Sequence, residues 1–82
     1  MNVSNKEKGR RTQAERTATT RRALLDAARS LFAERGYHGA AAEEIVRRAG
    51  LTRGALYHHF EDKKDLFRAV VDEMEGEIDE RI

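Results

Sequence analysis

The sequence predicts an all-α fold, a three-helix helix-turn-helix unit followed by the start of a longer fourth helix. Three observations predict it. Proline is absent and Ala, Leu, Glu, Arg and Lys dominate, which favours helix throughout. Apolar residues recur at the spacing of a helical face in successive stretches of the chain. Glycines or capping residues punctuate the junctions, at Gly36, Gly50, Thr52 and Asp62.

The bulk properties bound the answer further. Eighty-two residues suit one domain with a compact core. With no cysteine, neither a disulfide framework nor a thiolate zinc site can staple it. No run approaches the roughly 18 apolar residues of a membrane span. The polar, basic N-terminus lacks the apolar stretch of a secretory signal. A soluble, intracellular protein without a membrane partner is the expectation. The net charge of +1 is unevenly spread. Residues 1–16 carry five basic and two acidic side chains, and residues 17–60 carry seven arginines and four acids. Residues 61–82 carry four basic groups and nine acids. A basic front and an acidic rear suggest that the first sixty residues face a polyanion. Solvated charge runs alone would look the same.

Residues 1–18 read as a flexible basic N-terminal arm, because residues 1–16 offer almost no apolar side chains to offset the entropy of ordering. Its Arg10 and Arg11 either reach a minor groove or phosphates, or simply aid solubility; the second reading needs less. Residues 19–62 form the helix-turn-helix domain and residues 63–82 the fourth helix. The first helix runs from Thr19 or Thr20 to Arg35, with Leu24, Ala28, Leu31 and Phe32 on one face and Leu25 alongside. Gly36 sits where a left-handed residue would end it, pairing Phe32 with Tyr37 across the stop. A short second helix covers Ala41 to Ala49, burying Ala42, Ile45 and Ala49, and Gly50 ends it. Leu51 points into the core. Thr52 supplies a hydroxyl N-cap for a third helix, Arg53 to His59, whose buried face is Leu56 and Phe60. The fourth helix opens at Asp62 with Asp65 three residues on, as in a capping box. Its apolar stripe is Leu66, Phe67, Val70, Val71, Met74, Ile78 and Ile82. The last three extend beyond anything the chain can cover, which points to a partner surface elsewhere.

Two short helices separated by Gly50 and Leu51 form a helix-turn-helix of homeodomain-like type. Val46 lies four residues before the turn glycine and the apolar Leu56 six after it, a spacing that lets the two helices cross closely. Gly50 can take a positive φ there without a steric penalty. The second helix of such a unit projects its N-terminal half into a DNA major groove while the first braces across the backbone. Arg53, in the first turn of the reading helix, can offer a bidentate fork to guanine O6 and N7. Tyr57 lies four residues on and shares its face. The helix N-terminus adds backbone donors for a phosphate.

The stretch AARSLFAERGYHGAAAEEIVRRAGLTRGALYHHFEDKKDLF resembles the DNA-binding domain of the tetracycline-repressor (TetR) family of bacterial transcriptional regulators, over about Thr20 to Val71. Its most specific parts are LFAERGY and AGLTRGALYHHFEDKKDL. The resemblance implies that Thr52 is the capping hydroxyl that touches a phosphate. It implies that Arg53 and Gly54 approach base edges or bring the backbone close to DNA. Tyr57 and His59 match phosphate contacts, as does Lys63 at the start of the fourth helix. His58 occupies a variable position that often reads bases. Two departures stand out. The family usually places Thr or Ser where this chain has Ala40 and Ala41, so the second helix loses a cap worth about 1 kcal/mol, with only Glu43 and Glu44 as the reciprocal half of a capping box. Val46 replaces a usual alanine, which is expected to widen the crossing of the two helices slightly.

His58 and His59 are adjacent, about 100° apart on a helix, and unsuited to chelating one metal together. His58 serves equally as a surface residue. Leu24, Phe32, Leu56 and Phe60 read as core alone. Arg47 and Arg48 read as a solvated pair, although their helix crosses the backbone. An enzyme is disfavoured: Ser4 lies in the arm, Ser30 lies mid-helix without a base nearby, and no phosphate-cradling loop or metal-ligand spacing appears. No cofactor or metal is expected. The alternative is a protein-interaction module on the same scaffold without DNA binding; Arg53, Tyr57 and Lys63 argue against it by forming a phosphate-binding edge. The resemblance further implies a sequence-specific regulator, most often a repressor, acting in the bacterial cytoplasm at the nucleoid. It implies a homodimer on a pseudo-palindromic operator, released by a small-molecule effector bound in a C-terminal domain beyond Ile82.

Overall fold

Leu24, Leu31, Ile45, Leu56 and Leu66 are fully buried, and between them they draw on every helix of the structure. The computed structural model describes residues 12–81, with side chains through residue 77. Among these residues the elements are α1 (Gln13–Gly39), α2 (Ala42–Ala49), α3 (Arg53–His59) and α4 (Lys63–Arg81), with no strand. α1 is the axis: the other three helices all pack against it.

α1 begins earlier than the periodicity of its apolar residues predicts. Its N-cap is Thr12, whose hydroxyl accepts from the Glu15 N–H at 3.0 Å. The Glu15 carboxylate in turn accepts from the Thr12 N–H at 3.0 Å. This reciprocal pair is a capping box, and it satisfies two donors that a helix start otherwise leaves to water. The expectation of a flexible arm through residue 18 is therefore corrected for residues 13–18, which are helical. Arg10 and Arg11 lie outside the described residues.

At the other end Gly36 interrupts α1, as expected of it, but in an unexpected conformation. Its φ of 75° is positive while its ψ of 173° is extended, so it kinks the helix rather than closing it in a left-handed stop. That region of backbone space is open essentially to glycine alone. One further helical turn follows to Gly39. The predicted pairing of Phe32 with Tyr37 forms all the same, with ring centroids 5.9 Å apart. Phe67 of α4 packs edge-on against both, at 5.0 and 5.1 Å, and closes an aromatic cluster between the α1 corner and α4.

α2 starts without a side-chain cap at Ala41, as the sequence implies. Ala40 is fully buried, which explains an apolar residue there: a threonine would carry its hydroxyl into the core. Glu44 does not reach back to the helix start; its carboxylate pairs with Arg35 of α1. Ile45 and Val46 form the buried face, with Ala42 and Ala49 packed half-buried at its margins. Gly50 then takes φ 74° and ψ 30°, the left-handed conformation expected of it, and Leu51 packs against the core. In α4 the Asp62 carboxylate accepts from the Asp65 N–H at 2.8 Å, and Asp65 accepts from the Glu61 N–H at 3.0 Å. Leu66 and Val70 are buried against α1. Further along, Met74 is 41% exposed, as predicted for the overhanging stripe. The side chains of Ile78 and Ile82 lie outside the described residues.

Ion pairs fasten the outer seams. Arg22 donates to both carboxylate oxygens of Glu73 at 2.6 and 2.7 Å, and Arg29 to both of Glu77 at 2.9 and 3.1 Å, joining α1 to α4. Arg48 of α2 forks onto Glu34 of α1 at 2.8 and 3.3 Å. The hydrogen bonds from Arg22 hold the Glu73 carboxyl below its ordinary range despite partial desolvation.

Two substitutions test these backbone assignments. Gly36→Ala finds no atom within 4 Å of the new Cβ, so any cost is conformational, about 1–3 kcal/mol in urea denaturation. Ala41→Ser restores the missing cap and raises stability by about 1 kcal/mol. A neutral Gly36→Ala, or an Ala41→Ser variant no more stable than the parent, contradicts the corresponding assignment.

Candidate nucleic-acid interface

A helix of seven residues has room for one buried face and one presented face. In α3 the buried side is Leu56, fully enclosed, continued by Phe60 at the C-cap with 4% exposure. Everything else follows from that anchoring. Arg53, Gly54, Tyr57 and His58 face outward, with His59 half-buried at the margin.

Thr52 is the N-cap, and its oxygen accepts from the Ala55 N–H at 3.2 Å. The bond uses a lone pair and leaves the hydroxyl proton to be donated outward. The Arg53 side chain is 62% exposed. Its guanidinium lies 5.9 Å from the Tyr57 ring centroid, which places both on one face as the four-residue spacing requires. The contact with Glu43 of α2, at 3.5 Å, is at the limit of a hydrogen bond and leaves the guanidinium fork largely open. Glu43 is thus a neighbour of the site that the sequence reading assigned to helix capping instead.

Gly54 has no role in the packing. A Cβ there would meet only the Thr52 hydroxyl, at an ordinary 3.8 Å. A helical glycine costs about 1 kcal/mol relative to alanine, and the packing around Gly54 does not require one. Tyr57 is 43% exposed. The rings of His58 and His59 stand perpendicular, 5.2 Å apart. His59 is held below the ordinary imidazole range, first by burial and then by the charges of His58 and Arg21. It is therefore neutral near pH 7, with one ring N–H to donate.

Lys63 departs most from its sequence-based role. Its ammonium donates to the carbonyl oxygens of Tyr37 at 2.7 Å and Ala40 at 3.1 Å. It also lies 4.4 Å from the Tyr37 ring centroid. Lys63 thus ties the start of α4 to the corner between α1 and α2, leaving one N–H of three unspent. On α2 the two arginines part company. Arg48 is committed to Glu34, whereas Arg47 is exposed and has no ion pair among the described residues.

The structure also brings forward residues that sequence reasoning missed. The first turns of α1 lie beside the C-terminal half of α3, so that Arg16, Thr17 and Thr20 share a groove with Ala55, His58 and His59. Arg21 lies over the Phe60 ring, 4.9 Å from its centroid. The signal for this was present as the T-x-x-E of Thr12 to Glu15, which extends the helix to where these side chains are held.

Comparison with known proteins identifies the family and the fold. The model of the bacterial regulatory proteins of the tetR family matches residues 24–70. The chain is 52% identical over 62 residues to the HTH-type transcriptional repressor BepR of Brucella suis, covering 76% of this chain and 29% of that protein. It is 42% identical over 71 residues to the HTH-type transcriptional regulator AcrR of Shigella flexneri, covering 87% of this chain and 33% of that one. The crystal structure of a TetR-family transcriptional regulator from Pectobacterium atrosepticum superposes with a TM-score of 0.73 at 52% identity, over 87% of this chain and 36% of that one. The chain thus spans about a third or less of the length of these relatives. On the family match, the sequence identity and the shared fold, the chain belongs to the tetR family of bacterial regulatory proteins.

Proposed function

We propose that these 82 residues are the duplex-DNA-binding domain of a transcriptional regulator, with α3 as the reading helix in the major groove. The observation that carries this reading is the presented face of α3. There an open guanidinium, an exposed tyrosine and a glycine without a packing role stand together on a helix anchored by Leu56. Arg53 and Gly54 are the readers, with His58 beside them. Thr52, Tyr57 and His59 position the domain on phosphates, and the remaining Lys63 N–H is available for another.

The relatives named as repressors support repression as the outcome. In this reading two copies of the full-length protein bind a pseudo-palindrome with half-sites about one helical turn apart or more. A small molecule bound outside these residues releases them. Among the described residues no helix is long and apolar enough to cross a membrane, in keeping with action at the nucleoid.

Titrating a DNA duplex against salt tests the reading. Binding that weakens with a log–log slope near −0.9 per phosphate contact supports it. Absent or salt-insensitive binding favours a protein-interaction module instead. Within the site, Arg53→Ala relaxes specificity at one base position, at a cost of about 1–3 kcal/mol. Equal weakening on every sequence would make Arg53 a phosphate anchor. Gly54→Ala separates fold from function, because it raises stability by about 0.5–1 kcal/mol while weakening DNA binding.

His59 gives a pH test of known sign. Its folded pKa lies below the unfolded value of about 6.5, so its contribution to stability is fully present above that pH. The contribution is lost as pH falls from there through the folded value. A DNA phosphate favours the protonated ring, so DNA affinity gains from the same acidification. NMR titration of the His59 ring should show a midpoint below 6.5 in the free chain that rises when duplex is added. A midpoint unmoved by DNA removes His59 from the phosphate contacts.

A further inference from the structure

The core-facing stripe of α1 changes character along its length. Leu24, Ala28 and Leu31 are buried on it. Traced back by the same three- and four-residue steps, the stripe runs through Thr20, Thr17 and Arg16 to Gln13, all of them polar. A face that had to meet more protein would continue apolar. This one turns basic and hydroxylic where it emerges from the core, alongside Ala55, His58 and His59 of α3. No acidic side chain lines the groove between them.

The arginines sort in the same direction. Arg22 and Arg29 are neutralised by carboxylates of α4, and Arg35 and Arg48 are paired across the seam between α1 and α2. Arg16, at the α1 end nearest α3, has no ion pair among the described residues, whereas Arg21 shares a groove with Asp65 and Asp72 of α4. The Glu15 carboxylate next to Arg16 in sequence points elsewhere, into the capping box with Thr12. That box also fixes the helical turn carrying Arg16, so its charge is presented from an ordered backbone.

We infer that the first two turns of α1 form a second phosphate-binding row, which seats the DNA strand passing the C-terminal half of the reading helix. Arg16 supplies its charge, and Thr17 and Thr20 supply its hydroxyl donors. The ligand is a run of backbone phosphodiesters, so the row adds affinity and register without reading sequence. This rests on the proposed DNA binding, and the experiment keeps the two separable.

The probe is a mixed-sequence DNA duplex about two helical turns long, bound by the 82-residue chain over a range of salt. Arg16→Gln retains helix-forming propensity and should make the log–log salt slope about 0.9 less steep, with the circular dichroism unchanged. Thr17→Val and Thr20→Val together should weaken binding several-fold without changing the slope. Arg29→Gln removes the same charge from the far seam and should leave the slope as it was. An Arg16→Gln slope equal to that of the parent overturns the row while leaving the reading helix in place. So does an Arg29→Gln change as large as that of Arg16→Gln, which would reduce the effect to net charge. If the parent chain fails to bind the duplex, both the row and the DNA-binding reading fall.

Discussion

A seven-residue helix is not stable by itself in water, because nucleation costs more than so few hydrogen bonds return. α3 therefore holds its shape and place only through what it buries and what caps it. Leu56 enters the same core cluster as Ile45, Leu24 and Leu31, Phe60 is buried at the C-cap, and Thr52 satisfies the first turn. Truncating a buried leucine costs about 2–5 kcal/mol. For Leu56 that loss would fall on the element that presents Arg53 and Tyr57. The left-handed turn at Gly50 then sets the angle at which this face emerges. The anchoring of Leu56 and the geometry of the site are one constraint.

The charges are arranged around that constraint. Exposed ion pairs contribute little to stability individually, and salt weakens them. Their distribution is more telling than their strength. Carboxylates neutralise arginines along the α1–α4 and α1–α2 seams, whereas on the edge that carries α3 Arg53 meets Glu43 only at 3.5 Å. A net charge of +1 therefore conceals a strongly polarised molecule. Of the acidic residues of α4, Glu73 and Glu77 serve the seam with α1.

Most of the fold was legible because helical periodicity and punctuation agree. Gly50, Thr52 and Asp62 mark junctions at which the structure turns, and Leu24, Leu31, Ile45, Leu56 and Leu66 are all buried. The start of α1 was misjudged for a physical reason. Residues 13–20 bury too little apolar surface to show a hydrophobic face, and the helix there is held by the capping box of Thr12 and Glu15. Lys63 took its expected role from the family resemblance, but contact with Tyr37 and two carbonyl oxygens decides where its ammonium goes. Pairings such as Arg22 with Glu73, fifty-one residues apart, have no local signature and emerge only from packing. At the site, which side chains α3 presents was legible from spacing. That Arg16 and Thr20 stand beside them was not, because it depends on where the end of α1 lies relative to α3.

The same dependence explains how α4 is connected to the reading edge. Its first turns are held by Leu66, Val70, the Phe67 aromatic cluster and the Lys63 tie, all packed into or around the α1 corner. Beyond Val70 the described contacts with α1 are largely polar, the forks of Arg22 on Glu73 and Arg29 on Glu77. Close-packed contacts transmit displacement almost rigidly, whereas exposed ion pairs yield at small cost. A force applied near Met74 would therefore first strain the ion pairs and only then drag the packed turns. The long first helix thus packs against both α4 and α3, and an α1 that began at Thr19 would lack the Arg16 and Thr17 side of the groove.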